Sequence, residues 1–306
     1  MPPPPLSSLP LRPPAWATAL VARSSPEPPG LFAAFAAGAA LAALDVLVRR
    51  DAPFAGAWRQ RLALKAAAAT LEGKAGDEAS LRDAIALTRP GGDSGPAGRA
   101  YAAWRALAAG EAPRFADIAA GLGAPAADAL AASAAFDAHA RSADPAPLAA
   151  AAAAATVFAA LPRAGSLAYV VADLVLAARL GWRTALPLLA LEVGRVRPGG
   201  NIGLRPGEAT WPTACCAAYA RAAARACDLH AEFGAAALRL EAVAPKLRAK
   251  GARAAISALL DDDAVSSATP IVGLSDRGLR RLFDRLVELG AARELTGRST
   301  FRLYGL

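Results

Sequence analysis

Residues 275–306 read SDRGLRRLFDRLVELGAARELTGRSTFRLYGL, and their patterning decides the fold expected at this end of the chain. Leu279, Leu282, Phe283, Leu286 and Leu289 recur at i, i+3, i+4, i+7 and i+10, one apolar face of an α-helix. Ser275 stands where an N-cap belongs, because its hydroxyl can accept from an orphan N–H of the first turn. Gly290 stands at the position after the helix end that favours left-handed backbone. Beyond it, AARELTG and RSTFRLYGL alternate with period two around a Thr-Gly pair, the pattern of a β-hairpin. Upstream, KLRAKGARAAISALLDD (246–262) puts Ile256, Leu259 and Leu260 on one side of a further helix.

Helix, short segment, helix, hairpin is the order of a winged helix-turn-helix, and residues 246–306 resemble the winged DNA-binding domains of bacterial regulators. Gly273 suits the tight turn, Leu274 the core, and Ser275 the opening of the recognition helix. Counting about 100° per residue from Leu279, Arg277, Arg280 and Arg281 fall near roughly 160°, 100° and 200°, away from the apolar stripe. Arg298 sits at the hairpin tip and Arg302 on the returning strand. The expected contacts to double-stranded DNA are therefore Ser275, Arg277, Arg280, Arg281, Arg298 and Arg302, since recognition helix and wing both meet phosphates. Three features oppose this. Pro270 interrupts VSSATPIV, where the first helix of the motif should lie. Asp284 and Glu288 dilute the positive face. Arg280 and Asp284 can also pair at i,i+4 along a solvated surface.

The remaining chain is written largely in alanine. The 306 residues are 55% apolar, with a mean hydropathy of +0.30, and alanine supplies most of both. Alanine buries little area but forms helices best, so closely packed helices are expected. Candidate segments are 31–50, 54–73, 77–88, 97–109, 125–142, 146–160, 164–180, 185–193 and 212–243, punctuated by Gly and Pro. No strand-like alternation is visible before residue 290. The expected fold is mainly α: an alanine-rich bundle of eight or nine helices with a small C-terminal winged helix-turn-helix. The expected division is a proline-rich arm over 1–29, with Trp16 its one anchor, a helical domain over 30–245 and the winged module over 246–306.

The formal charge is +8 with a pI near 10.0, which permits a polyanionic partner without requiring one. From Lys246 onward there are 11 Lys and Arg against 7 Asp and Glu, so half the net charge lies in the last fifth of the chain. The opening MPPPPLSSLPLRPP has no charged region followed by an apolar run, and no signal peptide is expected. Three cysteines, two adjacent, make no disulfide framework, and the cytoplasm is the expected compartment. The apolar runs 31–44 and 146–161 fall short of a membrane span, so no membrane insertion is expected. The helical body offers a surface for a homodimer or a ligand.

Between residues 72 and 105 the sequence becomes polar. Arg82, Asp83, Arg89, Asp93, Arg99 and Arg105 could converge around the 89–96 loop with Trp104 as a wall, and paired arginines suit a phosphate or carboxylate. The plainer reading has Asp93 or Ser94 capping the next helix and the arginines pairing with Asp77 and Asp83. RPGGNIGLRPG (197–207) lacks the strand and the Lys-Ser/Thr of a phosphate loop. Cys216 and Cys227 lie eleven residues apart on one predicted helix, about 16 Å, too far to share a tetrahedral ion. Cys227 and His230 have no third partner, and Cys215 completes a set read as small buried hydrophobes. His139 and His230 assemble no catalytic constellation. No catalytic, cofactor or metal residues are assigned, and a non-enzymatic protein is expected. Asp173, inside an apolar helix, is expected to be buried and hydrogen-bonded.

WRQRLALKAAAAT (58–70), DEASLRDAIALTRPGGDSGPAGRAYAAWRAL (77–107) and the ending from Leu274 resemble an uncharacterised alphaproteobacterial family catalogued as a domain of unknown function, DUF1403-like. The similarity runs from Ala33 onward and implies no activity, cofactor or catalytic residue. ADLVLAARLGWRTALPLLAL (172–191), with the terminal module, is also similar to parts of Fic-related bacterial proteins. The histidine-proline-phenylalanine motif and its glycine-asparagine-glycine-arginine loop are missing, which argues against nucleotidyl transfer.

Overall fold

Alanine governs how closely these helices approach. The computed structural model describes residues 11–13, 15, 29–71, 73–89, 91–110, 114–193, 205–247, 249–298 and 301–306. The helices before residue 246 are α1 (Pro29–Arg49), α2 (Ala55–Thr70), α3 (Glu78–Ala86), α4 (Gly95–Ala109), α5 (Phe115–Gly121), α6 (Asp128–Ala140), α7 (Ala146–Ala160), α8 (Gly165–Leu180), α9 (Ala190–Val193) and α10 (Trp211–Val243). The longest contact joins α1 to α10. On these two helices Ala33, Ala36, Ala37, Ala40, Leu41 and Leu44, and Ala218, Tyr219, Ala222 and Ala226, are all buried. α7 packs on α8 and α2 on α4. The larger side chains Trp58, Trp104, Tyr101 and Trp211 fill the wider gaps that alanine leaves.

Two segments differ from the sequence expectation. Helix α5 is seven residues long and carries too few periodic positions to be visible in the sequence. The helix expected over 185–193 shrinks to α9, because the Asp173 carboxylate takes the backbone N–H groups of Leu188 (2.9 Å) and Leu189 (3.1 Å) outside any helix. Ten helices therefore precede residue 246 among the described residues, rather than eight or nine. From Gly30 to Arg49, α1 is long and apolar enough to cross a membrane by length and composition; one of its faces packs on α10. Most of the 1–29 arm, including Trp16, and residues 197–204 of the glycine-rich stretch lie outside the described residues. Within the arm, Arg12 pairs with Asp228 of α10 at 2.8 Å.

After residue 246 come α11 (Ala252–Asp261), β1 (Val265–Ser266), α12 (Asp276–Glu288), β2 (Arg293–Glu294) and β3 (Leu303–Gly305). The strands form an antiparallel sheet in the order β1–β3–β2, with Val265 opposite Tyr304 and Arg293 opposite Gly305. Strand β1 has two residues, too few to alternate; it exists because β3 offers it a hydrogen-bonding edge. Ser275 caps α12 by accepting from the Gly278 N–H at 3.2 Å, and Gly290 ends it with φ +67°. The segment between β1 and α12 is turn, not helix: Thr269 N–H donates to Ser266 O and Leu274 N–H to Ile271 O. Pro270 supplies no N–H and biases Thr269 away from helical backbone. Gly56 lets α11 seat on α2, since a Cβ there would stand 2.6 Å from the Asp261 carbonyl oxygen. The buried residues of this segment, Leu259, Phe283, Leu286 and Tyr304 among them, belong to one contiguous apolar cluster with those of the bundle.

Candidate functional site

Helix α12 carries the most sharply divided surface in the chain. Leu279, Leu282, Phe283 and Leu286 are buried, and the Phe283 ring lies 4.7 Å from that of Tyr304 on β3. Arg277, Arg280, Arg281 and Arg285 are exposed on the opposite side. Arg285 leans on Glu288 at 2.9 Å. Arginine and acid thus mix at the C-terminal end of the face, while Arg277, Arg280 and Arg281 cluster towards its N-terminal end.

The hairpin arginines go elsewhere. Arg298 donates to Asp83 of α3 at 2.6 Å, and Arg302 reaches Asp284 at 3.2 Å. Tyr304 O–H donates to the same Asp284 oxygen at 2.9 Å. Asp284 is thus held by two side chains of the strand beside it.

Just after α11, two adjacent carboxylates fasten the segment to the bundle. Asp263 is fully buried and accepts from Arg61 of α2 and, at 2.6 Å, from Arg82 of α3. Asp262 takes both arms of Arg105 of α4, at 2.9 and 2.8 Å. Burial alone would push the Asp263 carboxyl up, but the guanidinium charges of Arg61 and Arg82 outweigh it and hold it below the usual carboxylate range. For Arg105, burial works against the charged form and the Asp262 carboxylate overcomes it, so its pKa rises. Tyr101, against Arg105, is pushed up to about 12, by burial first and then by Asp263.

These pairings disperse the polar cluster of residues 82–105. Arg82 and Asp83 both face the C-terminal segment. Asp93 accepts from Arg99 at 2.6 Å and from the Gly95 N–H at 2.9 Å, closing an exposed loop on itself. Arg99 first, then the Gly95 N–H, lowers the Asp93 pKa. Ser94 occupies the N-cap position of α4 without a side-chain bond, while Asp77 caps α3 by accepting from the Ser80 N–H. Arg89 is exposed, and Trp104 is in the core with its indole N–H unpartnered among the described residues. A cavity of about 350 Å³ does lie here, lined by Arg82, Arg105, Asp262, Ser266 and Thr269, but its two arginines are already paired and Arg89 is not on its wall. Sequence spacing brought Arg82 and Arg105 into view; their partners, far along the chain, had no local signal.

A second buried polar knot joins α8 to α10. Asp173 accepts from Leu188, Leu189 and the Tyr219 hydroxyl (3.1 Å), and among the described residues no cation pairs with it. Burial pushes its pKa to about 8, partly offset by those three donors. The thiols of Cys215, Cys216 and Cys227 are free and buried, and burial raises all three. His230 rests against Phe54 and Trp58, and burial, then Arg50, lowers its pKa to about 4. Among the described residues no three His, Cys, Asp or Glu side chains are placed to hold a metal ion.

The chain belongs to the family described as Protein of unknown function (DUF1403), whose model matches residues 6–306. No curated protein and no solved structure matches it significantly.

Proposed function

We propose that this member of a family of unknown function is a non-enzymatic DNA-binding protein that presents α12 to the duplex. The observation that carries this reading is the arginine face of α12 standing opposite a fully buried stripe. The order α11, β1, α12, β2, β3, with the sheet β1–β3–β2, agrees with a winged helix whose middle helix has been reduced to the turn around Pro270. Arg277 and Arg281 then neutralise phosphates, with Arg280 between them. The wing contributes less than its sequence promises, because Arg298 and Arg302 are committed to Asp83 and Asp284.

The test is fluorescence anisotropy of a labelled random duplex with the full-length protein between about 50 and 200 mM salt, where phosphate contacts lose affinity steeply. Arg277→Ala/Arg281→Ala runs beside it. Binding should weaken linearly in log salt, and the variant should lower that slope by roughly one per lost contact. Absence of binding at the lowest salt would sink the reading. A second reading then takes over, in which residues 246–306 form a protein–protein contact on a helical adaptor. Its support is the same set of ion pairs, Asp263, Asp262 and Arg298 among them, that fastens the segment to the bundle.

A further inference from the structure

Away from α12, a cavity of about 480 Å³ opens where the C-terminal ends of α1, α4 and α8 meet the first turns of α2. Trp58 and Trp182 form part of its wall, each fixed by its indole N–H, to the Ala226 carbonyl (3.0 Å) and to Asp45 (2.7 Å). Three arginines line it: Arg49, Arg59 and Arg183.

The three differ in what they already bind. Arg49 is committed, donating to Asp45 at 2.8 Å and to the Leu180 carbonyl at the end of α8 at 2.6 Å. Arg59 is half-buried, yet among the described residues its guanidinium makes no hydrogen bond and no ion pair. Arg183 is exposed and likewise makes none. Burial pulls the Arg59 pKa down, with Asp51 and Asp261 pulling the other way. A guanidinium removed from water without a partner is costly, and such groups are ordinarily paired.

Helix C-termini carry partial negative charge, and that could be the reason for the arginines. Arg49 shows what such a role looks like: it bonds the carbonyl. Arg59 and Arg183, which line the same cavity, bond none among the described residues. Asp51 lines the same space with φ +47°, the one non-glycine residue at positive φ among the described residues. Such backbone concentrates at binding sites. At Gly110, which also lines the space, a Cβ would come within 2.5 Å of the Thr184 hydroxyl oxygen, so the loop after α8 sits closer to α4 than a side chain would permit.

The geometry points to a binding site for a small phosphorylated molecule, its phosphate held between Arg59 and Arg183 and a hydroxyl of the same ligand on Asp51. Two guanidinium groups carry a charge that a single carboxylate would compensate only by half, whereas it matches a phosphomonoester, which carries about −1.5 to −2 at neutral pH. This site is independent of the DNA reading, and either stands if the other fails.

The test is thermal unfolding of the full chain with inorganic phosphate as probe, against chloride and acetate at matched ionic strength. Phosphate should raise Tm saturably, by about 5 °C at roughly a hundredfold excess over Kd, with chloride and acetate giving no such rise. Arg59→Gln should abolish that rise while unfolding, without phosphate, at or above the wild-type Tm, since it removes a half-buried charge that makes no ion pair within the described residues. A structural arginine would give the reverse, a fall in Tm. Arg183→Gln, on an exposed side chain, should weaken phosphate about tenfold whatever Arg59→Gln does to folding. No phosphate-specific rise in the wild type overturns the proposal. An equal response to acetate, or an undiminished response in Arg183→Gln, also overturns it.

Discussion

Arg298 at the hairpin tip and Asp83 of α3 meet at 2.6 Å, tying the last hairpin to the middle of the bundle. The Asp83 side chain is largely buried, whereas that of Arg298 is half exposed. The pair therefore lies between a surface salt bridge, worth about 0–1 kcal/mol, and a buried one, whose rupture costs about 3–5 kcal/mol.

A double-mutant cycle on Asp83→Ala and Arg298→Ala should yield a coupling energy of about 1 kcal/mol, smaller at high salt. Urea unfolding at low and high ionic strength measures it. A coupling of zero at low salt would mean that the hairpin is positioned by its apolar contacts alone. If the DNA reading holds, Asp83→Asn should also raise duplex affinity by freeing Arg298, an effect the anisotropy assay reads directly.

Asp263 should be the most sensitive carboxylate in the chain. Replacing it with Ala leaves Arg61 and Arg82 facing each other in the interior, and a loss of about 3–5 kcal/mol is expected in chemical denaturation. Its folded pKa is lowered, so its stabilisation is complete above the ordinary carboxylate range and lost as pH falls through the folded pKa. Wild-type stability should accordingly drop in acid below about pH 4, and Asp263→Asn should flatten that acid limb. An unchanged acid limb would remove Asp263 from the account.

Asp173 has the opposite sign. Its folded pKa, pushed to about 8, lies above the unfolded value, so its contribution is complete below about pH 4 and is lost as pH rises through about 8. Asp173→Asn keeps an acceptor for Leu188 and Leu189 and should remove this slope, becoming more stable than wild type at alkaline pH. Asp173→Ala orphans two buried N–H groups and should cost about 2–4 kcal/mol at any pH. Stability curves for the three proteins across pH 4–9 decide it; parallel curves for wild type and Asn would contradict the assignment.

Local patterning was enough for some elements and not for others. The stripe from Leu279 to Leu289, the Ser275 cap and the Gly290 terminator are local devices, and each appears where spacing placed it. α7 and α8 likewise need only their neighbours in sequence. β1 and α9 could not be read this way, because a two-residue strand exists only against β3 and α9 begins only where Asp173 has finished with Leu188 and Leu189. The same limit applies to charge. Arg82, Arg298 and Arg302 were visible as residues able to hold an anion, and in the fold each is answered by a carboxylate of the chain itself, Asp263, Asp83 and Asp284 respectively. Arg59 drew no attention among its neighbours, since being half-buried and unpaired is a property of position.

By itself the sequence determined an alanine-rich helical protein, the amphipathic last helix and the hairpin beyond it, because helix period, capping and turn chemistry act within a few residues. Which arginines are spent and which remain available was decided only by the tertiary structure. A guanidinium is satisfied by whatever carboxylate or carbonyl the packing brings within about 3 Å, and that partner bears no fixed relation to it in sequence.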